Sequence, residues 1–195
     1  MNVLVVYCHP DPESFAHACL ERALAGLATA GHTVRLTDLY ADGFQPVMSA
    51  AERMAHSVPG VEPELQRHAD DLAWAEALVF VYPTWWSGQP AMLKGWIDRV
   101  WVAGVAWELP AGKAVLKARL TGVRRIVAVT THGSSKLINA LEGEGGKRTL
   151  FRSIRLLCSK RTRTTWCALY GLDRATAEQR AAFLDRVERT LAKLH

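Results

Sequence analysis

Three stretches of the sequence hold residue types that bind or transform small molecules: His9-Pro10-Asp11-Pro12-Glu13-Ser14-Phe15, Tyr82-Pro83-Thr84-Trp85-Trp86-Ser87-Gly88-Gln89-Pro90, and Thr130-Thr131-His132-Gly133. In the first, His9 and Ser14 can donate hydrogen bonds to a phosphate, and Ser14 stands where a helix with free N–H groups would begin. Ser14 would cap that helix with or without an anion, so both roles stay open. The stretch contains no glycine. That excludes the G-x-G-x-x-G and G-x-x-x-x-G-K-[ST] loops, in which glycine lets the backbone approach phosphates.

In the second stretch two adjacent tryptophans, held between prolines, cannot both point into one core. A rigid aromatic loop suits a planar ring such as a flavin, met at its polar edge by backbone N–H groups. One of the two tryptophans is expected to pack under the following helix or across a subunit interface, and Gly88 to let the backbone close on the ring. In the third stretch His132 is the candidate catalytic residue, able to donate toward negative charge developing on a bound ring. Lone loop histidines otherwise serve at the surface or in hydrogen bonds.

Cys8, Cys19, Cys158 and Cys167 share no C-x-x-C spacing and no histidine pair, so buried reduced thiols are expected and no metal site. Net charge is +5. The surplus is local: Lys147, Arg148, Arg152, Arg155, Lys160, Arg161 and Arg163 have no acidic residue among them, and the rest of the chain is slightly negative. So confined a surplus argues against a nucleic-acid partner and for a solvated helix face or a local anion site. On the second reading, one or two residues between Lys147 and Arg163, with Arg161 and Arg163 the ones to test, would meet the phosphates of a bound cofactor.

The elements that must position these stretches are legible in the apolar pattern. Val3–Tyr7, Ala77–Tyr82 and Ile126–Thr130 are continuous, β-branched-rich runs, the pattern of parallel strands covered on both faces. His32–Leu36 and Thr164–Leu169 mix in polar residues and suit positions nearer the edges. Helical spacing marks Ser14–Ala30, Glu62–Ala75, Pro90–Val102 and Ala175–Leu194. The alternation predicts a single three-layer α/β domain with a doubly wound parallel sheet over residues 1–195. Residues 40–60 and 132–146 read as long ordered loops. Ligands of such a sheet sit beyond the carboxyl ends of its strands, where all three stretches fall. No apolar run is long enough to span a membrane and no signal peptide opens the chain, so a cytoplasmic location is expected.

With these residues in view, Val3-Leu4-Val5-Val6-Tyr7-Cys8-His9-Pro10 with Ser14-Phe15, the run from Tyr82 to Val100, and Thr130-Thr131-His132-Gly133 resemble the NAD(P)H:quinone oxidoreductases of flavodoxin-like fold. That family includes DT-diaphorase and the ancillary subunits of glutathione-gated potassium efflux systems. The likeness extends to about Gly133 and fades beyond.

The resemblance implies hydride transfer from NAD(P)H through a bound flavin to a quinone or similar acceptor. FAD is the expected cofactor and FMN the alternative. It also implies a homodimer, which the Trp-rich helix from Ala91 to Trp101 would support by carrying more large side chains than one small domain can bury. The alternative function it implies is regulation of a membrane transporter partner, with incidental turnover. Carried over by position, His9, Ser14 and Phe15 would hold the flavin phosphate end. Pro83, Thr84, Trp85, Trp86 and Ser87 would line the ring, and Thr130, Thr131, His132 and Gly133 would meet its polar edge. The sequence departs from the pattern at Ala16 and at His132, where the family has Asn and Gly. The offsets of a loop Tyr and His that assist the family's chemistry fall on Ile138 and Glu144.

Overall fold

The computed structural model describes residues 1–195. Its centre is a parallel sheet made by β1 (Asn2–Tyr7), β2 (Thr33–Asp38), β3 (Ala77–Pro83), β6 (Arg125–His132) and β7 (Arg163–Tyr170), in the order β2-β1-β3-β6-β7. Between β3 and β6 a small antiparallel hairpin, β4 (Trp107–Glu108) with β5 (Lys117–Ala118), stands apart from that sheet. β1 lies between β2 and β3, so the chain winds first to one side and then to the other. That reversal opens the crevice between the carboxyl ends of β1 and β3.

β3 is buried along its whole length and β6 at all but its first residue, as their unbroken apolar runs predict. One sheet face packs on α1 (Phe15–Thr29) and α7 (Ala177–Ala192) through Leu20, Leu27, Phe183, Val187 and Leu191. The other packs on α3 (Gln66–Trp74) and α4 (Ala91–Val100) through Leu72, Leu93 and Trp96. All four cysteines are free and buried, and burial pushes Cys8, Cys19 and Cys158 up to about 12. No helix is long and apolar enough to cross a membrane.

Three expectations are corrected here. Residues 40–60 contain a short helix, α2 (Ala50–Ala55), and residues 132–146 contain α5 (Lys136–Leu141) and the start of α6 (Gly145–Arg148). Asn139 is the only buried residue of α5, too weak an apolar signal to show a helical period. Secondly, Leu93, Trp96, Ile97, Val100 and Trp101 are buried in the chain's own core, so this helix does not offer them to a second copy. Thirdly, Arg163 begins β7, where its N–H bonds Arg124 O at the amino-terminal edge of the sheet. Arg161, two residues before it, belongs to that edge too, opposite the strand-end loops. The proposed phosphate contact therefore fails for both.

Candidate active site

At the end of β1 the chain turns through His9, whose Nδ1 accepts from Asp11 N at 3.0 Å, and enters α1 at Ser14. Ser14 Oγ accepts from His17 N at 3.2 Å and so acts as the N-cap. The next N–H groups, of Phe15 and Ala16, have no backbone acceptor, and no acidic residue stands in the first turn. Beside them Tyr7 Oη is buried without a partner, its ring edge-on to His17 at 5.8 Å. A helix start with free N–H groups favours an anion through its dipole.

Across the crevice, the loop after β3 folds back in two residues. Trp85 N donates to Gly88 O at 3.2 Å and Gly88 N to Trp85 O at 3.1 Å, while Trp86 (φ 49°) and Ser87 (φ 60°) occupy the left-handed region between them. Two positive φ angles are what a type I′ turn requires, and Asn or Gly normally supply them. The strain is held by neighbours: Ser87 O accepts from Gly146 N at 2.9 Å, Ser87 Oγ donates to Glu142 Oε2, and Gln89 Nε2 donates to Gly146 O at 2.8 Å. Among the chain's own atoms Gly88 has room for a Cβ, whose nearest neighbour would be Trp86 O at 3.8 Å. Neither tryptophan packs under α4: Trp85 is 42% exposed, 6.1 Å from the His9 ring, and Trp86 is fully exposed.

The third stretch ends β6. Thr130, Thr131 and His132 are buried, and Thr84 N donates to Thr131 O at 2.8 Å. Thr84 Oγ1 lies 2.9 Å from Thr130 Oγ1 and 3.4 Å from His132 Nε2, while His132 Nδ1 lies 2.7 Å from Asn139 Oδ1. Burial lowers the His132 pKa, against the opposing effects of the Asn139 bond, Glu144 and Glu142. Thr84, Trp86, Ser87, His132, Gly133, Ser134, Asn139 and Glu142 line a cavity of about 380 Å³. The backbone N–H groups of Trp86, Ser87, Gly133 and Ser134 have no backbone acceptor there. A larger cavity of about 510 Å³, between α4 and residues 149–157, is lined by none of the strand-end loops.

The structure thus brings Thr84, Trp86, Ser87, His132 and Gly133 to one cavity, leaves Pro83, Trp85, Thr130 and Thr131 out of its lining, and sets His9, Ser14 and Phe15 at the end of the neighbouring strand β1. Sequence reasoning missed Asn139, Glu142 and Tyr170. Tyr170, at the end of β7, stacks on His132 with centroids 4.4 Å apart and planes 19° from parallel. The counted offsets put no aromatic or basic side chain there: Ile138 is half-exposed on α5, and Glu144 pairs with Lys147 at 2.9 Å, which holds its carboxyl below the usual range. The available signal was the strand end itself, because β7 runs parallel to β6 and delivers Tyr170 opposite His132 in register.

A family model described as a flavodoxin-like fold matches residues 1–191. The chain is 36% identical over 117 residues to an NAD(P)H oxidoreductase of Haemophilus influenzae, a match covering 59% of this chain and 57% of that protein. It is 30% identical over 166 residues to a human ribosyldihydronicotinamide dehydrogenase [quinone], covering 75% of this chain and 70% of that one. Among solved structures, an NAD(P)H:quinone oxidoreductase of Methanothermobacter marburgensis aligns with a TM-score of 0.85 at 26% identity, over 100% of this chain and 99% of the other.

Proposed function

The chain belongs to the flavodoxin-like fold family, and from that premise we propose that it is a flavin-dependent NAD(P)H dehydrogenase acting on a quinone or similar acceptor. The observation that carries the proposal is the left-handed Trp86–Ser87 turn, which faces buried His132 across the cavity at the carboxyl edge of the sheet. Strain at two non-glycine residues persists only where neighbours hold it, and such positions cluster at ligand clamps. Likeness to quinone reductases over the full fold supports the same reading.

The donor set fits a flavin. Ser14, the free N–H groups of Phe15 and Ala16, and His9 would hold its phosphate end. Pro83, Thr84, Trp85, Trp86 and Ser87 would line its ring, and Thr130, Thr131, His132 and Gly133, with the free N–H groups of Gly133 and Ser134, would meet its polar edge. A bound flavin supplies two-electron chemistry, so that NAD(P)H, a proton and a quinone give NAD(P)⁺ and a hydroquinone.

The chain's own contribution is position and protons. Asn139 Nδ2 donates to Ser135 O at 2.9 Å, so Oδ1 faces His132 and Nδ1 carries the hydrogen. His132 Nε2 is then a lone pair toward Thr84, a group able to take or return a proton at the cavity wall. FAD is the cofactor we favour, with FMN the alternative. A homodimer completes the reading. Its support is the exposure of the large apolar side chains of Trp86 and of Leu137, Ile138 and Leu141 of α5, rather than α4. Use of a soluble nicotinamide donor fits a cytoplasmic setting, and no feature of the site favours the transporter-subunit alternative. Releasing the cofactor by heat and identifying it by chromatography tests the proposal. FAD or FMN at about one per chain is expected, and a protein that binds neither would overturn it.

A further inference from the structure

Glu142 is the one carboxylate lining the cavity, and it makes no ion pair. Ser87 Oγ donates to its Oε2, and Ser87 is itself held in the turn. The cations nearest in sequence do not pair with it. Asp173 Oδ2 would lie 2.8 Å from a Cβ at Gly133, on the cavity wall, and Asp173 has no cationic partner either. Lys147 is taken by Glu144 at 2.9 Å. Arg148, beside Gly143, pairs with neither Glu142 nor Asp173. Burial favours the neutral form of His132. The remaining lining is uncharged.

We propose that Glu142, which accepts from Ser87 beside the cavity assigned to the flavin ring, determines acceptor specificity by letting neutral and cationic rings approach that flavin and repelling rings that carry a sulfonate, carboxylate or phosphate. This rests on the quinone-reductase reading and deepens it. A negative charge at the rim of the site repels a ligand anion over several ångströms, and added salt screens that repulsion. The hydrogen bond to Ser87 separates charge from structure, since a glutamine side-chain oxygen at the same place also accepts from Ser87 Oγ.

The experiment uses flavin-loaded protein, with kcat/KM measured for a neutral naphthoquinone and for the same ring bearing a sulfonate, in wild type, Glu142→Gln and Glu142→Asp. Comparing variants cancels the sulfonate's own effect on quinone reactivity. Glu142→Gln is expected to shift the sulfonate-to-neutral ratio toward the sulfonate by about tenfold at low salt, less at high salt, while Glu142→Asp stays near wild type. A ratio unchanged within about twofold in Glu142→Gln overturns the inference. If wild type reduces neither quinone, the activity reading fails on its own. Calorimetric Kd values for the two quinones then decide the charge selection by the same ratio.

Discussion

His132 Nδ1 and Asn139 Oδ1 lie 2.7 Å apart, with both side chains about 95% buried, and a single hydrogen bond sets which ring nitrogen faces Thr84. Asn139→Leu removes the acceptor while keeping the branching and the number of side-chain heavy atoms, and should let the ring adopt its other tautomer. Nitrogen NMR of the histidine ring reads this directly: a protonated Nδ1 is expected in wild type and a mixture in the variant. The same tautomer in both would remove Asn139 from the account.

Burial also makes this site a source of pH-dependent stability. His132 and His68 are both held below the ordinary value of 6.5, chiefly by desolvation, so the folded chain binds fewer protons than the unfolded chain just below that pH. Stability is therefore fully present above pH about 7 and falls as the pH drops through the unfolded value toward the lowered folded one. Urea midpoints should decline between about pH 7.5 and 5, with a shallower decline in His132→Gln. A midpoint that rises toward pH 5 would contradict the assignment.

Arg99 of α4 is 5% exposed and bonds Glu52 Oε1 at 2.7 Å, Glu64 Oε1 at 2.7 Å and Gln45 O, tying residues 45–64 to the core. Glu64 is 67% exposed and contributes little, whereas Glu52 is 11% exposed and would be left unpaired. Arg99→Met should cost about 3 kcal/mol in urea unfolding. A loss below about 1 kcal/mol would mean the segment is held by other contacts.

Helix propensity alone favours Gly95→Ala in the middle of α4 by about 1 kcal/mol. The added Cβ, however, would lie 2.3 Å from Pro46 O and 2.4 Å from Pro46 Cβ, and a backbone oxygen cannot swing aside. Destabilisation by about 1–3 kcal/mol is expected, seen as a lower melting temperature. A stabilised variant would show that residues 45–64 do not sit against α4 as described.

These contacts mark where the sequence stopped being informative. Val79, Phe80, Val127 and Val129 announced their strands because burial on both faces leaves a continuous apolar run, and the strand ends then located the site-forming loops. The Trp86–Ser87 turn gave no such signal, since neither residue type is one that left-handed φ selects. Asn139 and Tyr170 come to His132 from α5 and β7, so only the register of the sheet unites them. Aromatic content misled in and just after α4, where Trp96 and Trp101 are buried in the chain's own core instead of forming a partner's surface.

The strained turn offers a separation of stability from binding. Trp86→Gly relieves a left-handed φ at a side chain that is fully exposed, and should stabilise the flavin-free chain by about 1 kcal/mol while weakening flavin binding. Thermal melts of the apoprotein and fluorescence titration with FMN and FAD check the two halves. Unchanged flavin affinity would remove Trp86 from the site.

Oxidation of NADH and NADPH by the flavin-loaded protein with a neutral quinone, compared with free flavin at equal concentration, decides whether the chain is a quinone reductase. Turnover far above free flavin, proportional to flavin occupancy and reduced at least about tenfold in a Trp86→Ala, His132→Leu double variant, is the predicted result. A flavin-loaded protein that oxidises neither nucleotide faster than free flavin would contradict it.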